Sequence, residues 1–188
     1  GDAPHPIAAA MDDDSILPPE LVALARRAVE ENRAAGRTVA LAESCTGGLV
    51  AAALTEIPGS SAVLDRAYVT YSNEAKIECL GVSGDIIDTF GAVSIACAWA
   101  MAKGALSRSR ADIAVAVSGV AGPDGGTAMK PVGTVVFAKA QRQGESVPDG
   151  ELVFFDGGTR SAIRVQAAMA ALELLLPDQP AADAGGPP

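Results

Sequence analysis

Residues 112–118 read Asp-Ile-Ala-Val-Ala-Val-Ser, a near-continuous apolar run followed at once by glycine. A strand without polar alternation is buried on both faces, which demands helices above and below the sheet. Residues 37–42 (Arg-Thr-Val-Ala-Leu-Ala) form a second short strand of this kind. Residues 63–71 predict a third, and residues 132–140 and 151–156 two more, joined by a polar turn around Gly144. Helical patterns lie between them. Pro18 and Pro19 open the first, where proline suits the first turn. Leu21, Leu24, Ala25, Ala28 and Val29 give it one apolar face, and Gly36 ends it. Further helices are predicted at 49–56, at 73–80 with Ser72 and Asn73 as cap, at 86–90, at 94–107 and at 160–176. The alternation predicts an α/β fold: a three-layer α/β/α domain whose central sheet is mixed but mostly parallel, with the two late strands as a hairpin.

This domain is expected to span residues 18–176. Residues 1–17 and 177–188, rich in Pro, Ala, Gly and Asp, read as disordered tails, with Asp12, Asp13 and Asp14 as a solvated acidic extension. The first residues lack the charged and apolar regions of a signal peptide, and no apolar run approaches the ~18 residues of a membrane span. Cys45, Cys79 and Cys97 show no CxxC spacing, which argues against a zinc knuckle or a disulfide framework. A reduced, cytoplasmic protein with no membrane segment is the expectation. The net charge of −9 argues against direct contact with nucleic acid, which needs a basic face. The chain has one histidine, His5, and it lies in the expected N-terminal tail. A Ser-His-Asp triad, a Cys-His dyad or a multi-His zinc site would each have to use it. A hydrolase on this chain must therefore activate its nucleophile with another base.

Open α/β sheets bind ligands beyond the carboxyl ends of their strands, so the strand-to-helix junctions are the places to look for chemistry. Ser44-Cys45-Thr46-Gly47-Gly48 follows one strand. It reads as an anion site of free helix N-terminal amides and hydroxyls, as a seat for a nucleophilic Ser44, or as an ordinary helix cap. It lacks the Gly-Lys-Ser/Thr of a Walker loop and the glycine of a nucleophile elbow. Tyr71 ends the next strand and Lys76 lies in the helix after it. A desolvated lysine can activate a serine, and a tyrosine can relay a proton. A solvated lysine and a core tyrosine fit the same segment. The loop from Gly119 through Gly122 to Gly126 could bring backbone close to a ligand, or simply turn. Thr159, Arg160 and Arg164 open the last helix and could hold a phosphate, or be solvated helix charges.

These junctions, read together, resemble the CinA C-terminal domain family, the nicotinamide-nucleotide amidohydrolases. The resemblance rests on Ala42-Glu43-Ser44-Cys45-Thr46-Gly47-Gly48, Ile57-Pro58-Gly59-Ser60-Ser61, Tyr71-Ser72-Asn73-Glu74-Ala75-Lys76, Gly91-Ala92-Val93-Ser94, Ser118-Gly119-Val120-Ala121-Gly122-Pro123-Asp124-Gly125-Gly126 and Lys130-Pro131-Val132-Gly133-Thr134-Val135. It covers roughly residues 20–175. It implies hydrolysis of the carboxamide of nicotinamide mononucleotide to nicotinate mononucleotide and ammonia, with no metal or other cofactor. The implied catalytic residues are Ser44 as nucleophile with Tyr71 and Lys76 assisting. Thr46, Gly47 and Gly48, or Gly119 and Gly122, are expected to meet the oxyanion, and Arg66, Thr159 or Arg160 the phosphate. The implied partner is a small-molecule nucleotide, and the apolar helices leave room for a homo-oligomer. A non-catalytic nucleotide-binding module, or an interaction module linked to competence or DNA damage, would share the fold.

Overall fold

The computed structural model describes residues 1, 3–10, 15–144 and 149–178. Asp12 to Asp14 and residues 179–188 lie outside the described residues. The N-terminal segment, expected to lack structure, makes one short helix, α1 (Pro6–Ala10), and His5 before it is exposed. The remaining elements run α2 (Pro19–Ala34), β1 (Val39–Glu43), α3 (Leu49–Thr55), β2 (Leu64–Val69), α4 (Asn73–Leu80), α5 (Gly84–Phe90), α6 (Ile95–Ser107), β3 (Ile113–Gly119), β4 (Thr134–Gln141), β5 (Asp149–Phe154) and α7 (Arg160–Leu175). Serine or threonine caps mark several helix starts. Ser72, Ser94 and Thr159 each accept a backbone N–H with the side-chain oxygen, at 3.0, 3.1 and 3.1 Å.

The sheet order is β2-β1-β3-β4-β5. β1 pairs in parallel with β2 and β3, while β4 pairs antiparallel with β3 and β5. Thus β4 alone is reversed, although the pairings divide evenly between the two types. From β1 the chain moves to β2 on one side and returns at β3 on the other. The connection leaving β1 runs to one side of the sheet and that leaving its neighbour β3 to the other, which opens a crevice at their carboxyl ends.

Side-chain alternation divides the core by size. Val39, Leu41, Ile113, Val115, Val117, Val135 and Phe137 face α2, α3 and α7. Ala40, Ala42, Ala114, Ala116 and Ala138 face α6, itself alanine-rich, and α4 and α5 join that layer. Small residues let α6 lie close to the sheet and α4 close to α6. A Cβ on Gly104 of α6 would overlap the Leu80 carbonyl oxygen at the end of α4. This close approach carries α4, and with it Lys76, in over the carboxyl end of β1.

Candidate active site

Past the end of β1 the alternation continues. Ser44 follows Ala42 on the α6 face, and Glu43 turns toward α3. The Ser44 amide donates to the Val117 carbonyl at 3.0 Å, which ties the start of the loop to β3. Lys76, in α4, is only 1% exposed and is among the largest fully buried side chains of the described residues. Its Nζ lies 3.1 Å from Ser44 Oγ, 2.9 Å from the Thr70 carbonyl oxygen and 3.2 Å from the Tyr71 carbonyl oxygen. The lysine therefore reaches the serine directly.

Burial pushes the Lys76 amine below the usual lysine range, against a weaker opposing pull from Cys97 and Cys45. Burial also drives the Cys45 thiol up to about 11 and the Cys97 thiol upward, so both are neutral near pH 7. The three partners can accept all three N–H groups of an ammonium; once the amine is deprotonated, two N–H groups serve the carbonyls and the lone pair is left for the Ser44 hydroxyl. Chemically, a hydroxyl beside a buried amine can serve as a nucleophile beside a base.

Glu43 is fully buried. Its Oε1 accepts from Thr46 Oγ1 at 2.6 Å and from the Val50 amide at 3.0 Å, and its Oε2 accepts from the Ala51 amide at 3.1 Å. The protein's own carboxylate thus fills the anion position at the start of α3, where negative charge is favoured. Of the groups expected to be free at this junction, the Val50 and Ala51 amides and the Thr46 hydroxyl are already occupied by Glu43. Gly47 and Gly48, with φ of 59° and 96°, give the backbone its left-handed turn around the carboxylate. The other side of the loop is held by Arg164, which donates from Nε to the Cys45 carbonyl at 3.1 Å and from Nη2 to the Thr46 carbonyl at 2.9 Å.

The sequence matches the CinA C-terminal domain over residues 21–178. The chain belongs to this family. It is 49% identical over 156 residues to the nicotinamide-nucleotide amidohydrolase PncC of Escherichia coli K12, covering 83% of this chain and 93% of that one. It is 52% identical over 141 residues to a CinA-like protein of Mycolicibacterium vanbaalenii, covering 75% of this chain but 33% of the relative. The chain thus spans about a third of the length of some curated relatives and nearly all of others. Among solved structures, the competence/damage inducible protein CihA of Agrobacterium tumefaciens superposes with a TM-score of 0.80 at 50% identity, over 86% of this chain and 96% of that one.

The residues that the CinA resemblance singles out separate on the structure. Ser44 and Lys76 are brought together. Tyr71 is not placed between them: its side chain is 63% exposed, its carbonyl is what Lys76 meets, and its phenol oxygen accepts from Arg160 Nη2 at 3.2 Å. Arg160 also donates from Nη1 to the Gly122 carbonyl at 2.6 Å, so it clasps the β2 and β3 exits at the rim. Arg66 lies away from the rim. It sits beside Ala40 in the register, bonds Asp65, and donates to the Arg108 carbonyl at 2.8 Å beyond α6. Thr159 spends its hydroxyl on capping α7. Gly119 is a packing glycine, where a Cβ would crowd Val135 and the Thr134 carbonyl. Gly122 needs its positive φ of 78° and the absence of a Cβ beside Val132. The structure gives Glu43, already within the family motif, the role of loop anchor. Its one sequence signal is an acid at the exit of a buried strand.

Proposed function

We propose that this chain is a nicotinamide-nucleotide amidohydrolase that works through a Ser44–Lys76 pair. The single observation that carries the mechanism is the buried Lys76 amine 3.1 Å from Ser44 Oγ, with two backbone carbonyls holding its other protons. The name of the Escherichia coli relative, which this chain matches over 93% of its length, supports the reaction class and the nucleotide substrate.

The steps follow from the groups present. The Ser44 O–H bond breaks, its proton joins the Lys76 lone pair, and Oγ bonds to the carboxamide carbon of nicotinamide mononucleotide. The oxyanion meets loop amides. Those of Thr46 and Gly48 donate to no protein acceptor among the described residues, whereas Gly47 N–H is taken by the Ser44 carbonyl at 3.0 Å. The C–N bond then breaks as the Lys76 ammonium protonates the departing nitrogen, which leaves as ammonia. Water attacks the acyl carbon, giving its proton to the regenerated amine. The bond from the acyl carbon to Ser44 Oγ breaks as the Lys76 ammonium returns its proton to Oγ, and the product is nicotinate mononucleotide. Tyr71 and Arg160 stand at the rim as contacts for the rest of the nucleotide, with Arg160 as the cation for the phosphate.

The test is ammonia release from nicotinamide mononucleotide, with nicotinamide and nicotinamide riboside as controls. Wild type is expected to act on the mononucleotide alone. Ser44→Ala is expected to fold normally and lose activity by several orders of magnitude. Release of ammonia by Ser44→Ala at the wild-type rate would eliminate the proposed nucleophile. A folded wild type bound to the nucleotide but releasing no ammonia would instead favour a non-catalytic binding module.

A further inference from the structure

Thr70 follows β2 and is 1% exposed. Its backbone is held at both ends: its amide donates to the Glu43 carbonyl at 2.9 Å, and its carbonyl accepts from Lys76 Nζ at 2.9 Å. Its hydroxyl is different. Among the described residues, Thr70 Oγ1 is the buried side-chain polar atom with no hydrogen-bond partner. Leaving a buried hydroxyl unpaired is unfavourable, and valine would fill the same space without that cost. An orphan of this kind calls for an explanation.

The proton inventory of the neighbouring amine supplies one. With the amine neutral, as the Ser44–Lys76 reading requires before the reaction, two N–H groups and one lone pair are matched by two carbonyls and one hydroxyl. When Ser44 gives up its proton, Nζ carries three N–H groups. The two carbonyls still take two of them. Ser44 Oγ is then bonded to the substrate carbon and is a weaker acceptor. The amine gains a donor as its serine partner loses acceptor strength. Thr70 Oγ1 stands on the residue whose carbonyl already holds Nζ, with its lone pairs unused.

Resting on the Ser44–Lys76 reading, we infer that Thr70 is a positioning residue of the same reaction: its hydroxyl takes the third N–H of the Lys76 ammonium and holds that proton until the departing nitrogen collects it. The ammonium forms twice per turnover, once for acylation and once for deacylation, so the contact acts in both halves. No bond to substrate is involved. The gain exists only while the amine is charged, so it lowers the barrier without strengthening substrate binding.

Thr70→Val and Thr70→Ser, compared with wild type by steady-state ammonia release and by thermal melting, test this. Thr70→Val is expected to lower kcat roughly tenfold with KM unchanged, the weight of one hydrogen bond to a charged group. It should melt at or above the wild-type temperature, because the orphan hydroxyl is gone. Thr70→Ser is expected to restore most of kcat. Two results would overturn the inference: Thr70→Val with kcat within about twofold of wild type, or Thr70→Ser as slow as Thr70→Val. Failure of the underlying reading shows separately, as an inactive wild type or an active Ser44→Ala, and removes this inference with it.

Discussion

Replacing Glu43 with glutamine keeps the shape of the side chain and exchanges one acceptor oxygen for a donor. The carboxylate accepts Thr46 Oγ1 and the Val50 amide on one oxygen and the Ala51 amide on the other. Glutamine does least damage when its oxygen keeps Thr46 and Val50. Its NH2 then faces the Ala51 N–H, donor against donor. The loss is one hydrogen bond to a charged group, about 1.5–3 kcal/mol, together with the favourable placement of charge at a helix N-terminus, about 0.3–1 kcal/mol. Together these come to roughly 2–4 kcal/mol. For a chain of this size each kcal/mol moves Tm by about 2–4 °C, so Tm should fall by roughly 4–16 °C. The loop carrying Ser44 would loosen as well, and a misplacement of ~1 Å costs on the order of a hundredfold in rate. Thermal melting by circular dichroism, with ammonia release measured well below the variant's Tm, separates the two effects. A Glu43→Gln protein melting within a degree of wild type, at full kcat, would refute the claim that this carboxylate anchors the loop.

Lys76→Met should lose activity by at least a thousandfold, and its stability should respond to pH in a defined direction. Burial holds the folded Lys76 amine below the ordinary lysine value of 10.5. The unfolded chain therefore binds more protons in the window between those two values, so wild-type stability rises with pH across it, and the full cost of the buried charge applies below it. Urea denaturation from pH 7 to 10.5 should show any advantage of Lys76→Met over wild type shrinking as pH rises, by about 1.4 kcal/mol for each unit by which the amine is lowered. A gap that widened with pH would contradict the burial argument. Arg66→Ala should leave KM for nicotinamide mononucleotide unchanged, because the guanidinium donates to Arg108 beyond α6 and not to the rim. A severalfold rise in KM would return Arg66 to the site.

What could be read in advance, and what could not, divides along a physical line. The α/β layering was legible because backbone demands are local: an unbroken apolar strand such as 113–117 requires cover on both faces, and serine or threonine at a helix start announces a cap. The size asymmetry of the sheet was in principle visible as well, in the alternation of alanine with valine, leucine and isoleucine along β1 and β3. The Ser44–Lys76 contact was reachable only through the family resemblance, because 32 positions separate the two residues and no spacing rule joins them. Tyr71, Arg66 and the α3 amides share one feature: what each does depends on which partner claims it. Tyr71 is claimed by Arg160 at the rim, Arg66 by Asp65 and the Arg108 carbonyl, and the α3 amides by Glu43. Sequence states what a group can donate or accept, and only the fold states what remains unclaimed. By that criterion the chemistry gathers at two atoms. One is a lysine nitrogen whose one side-chain partner among the described residues is a serine hydroxyl, and the other is a threonine oxygen with none.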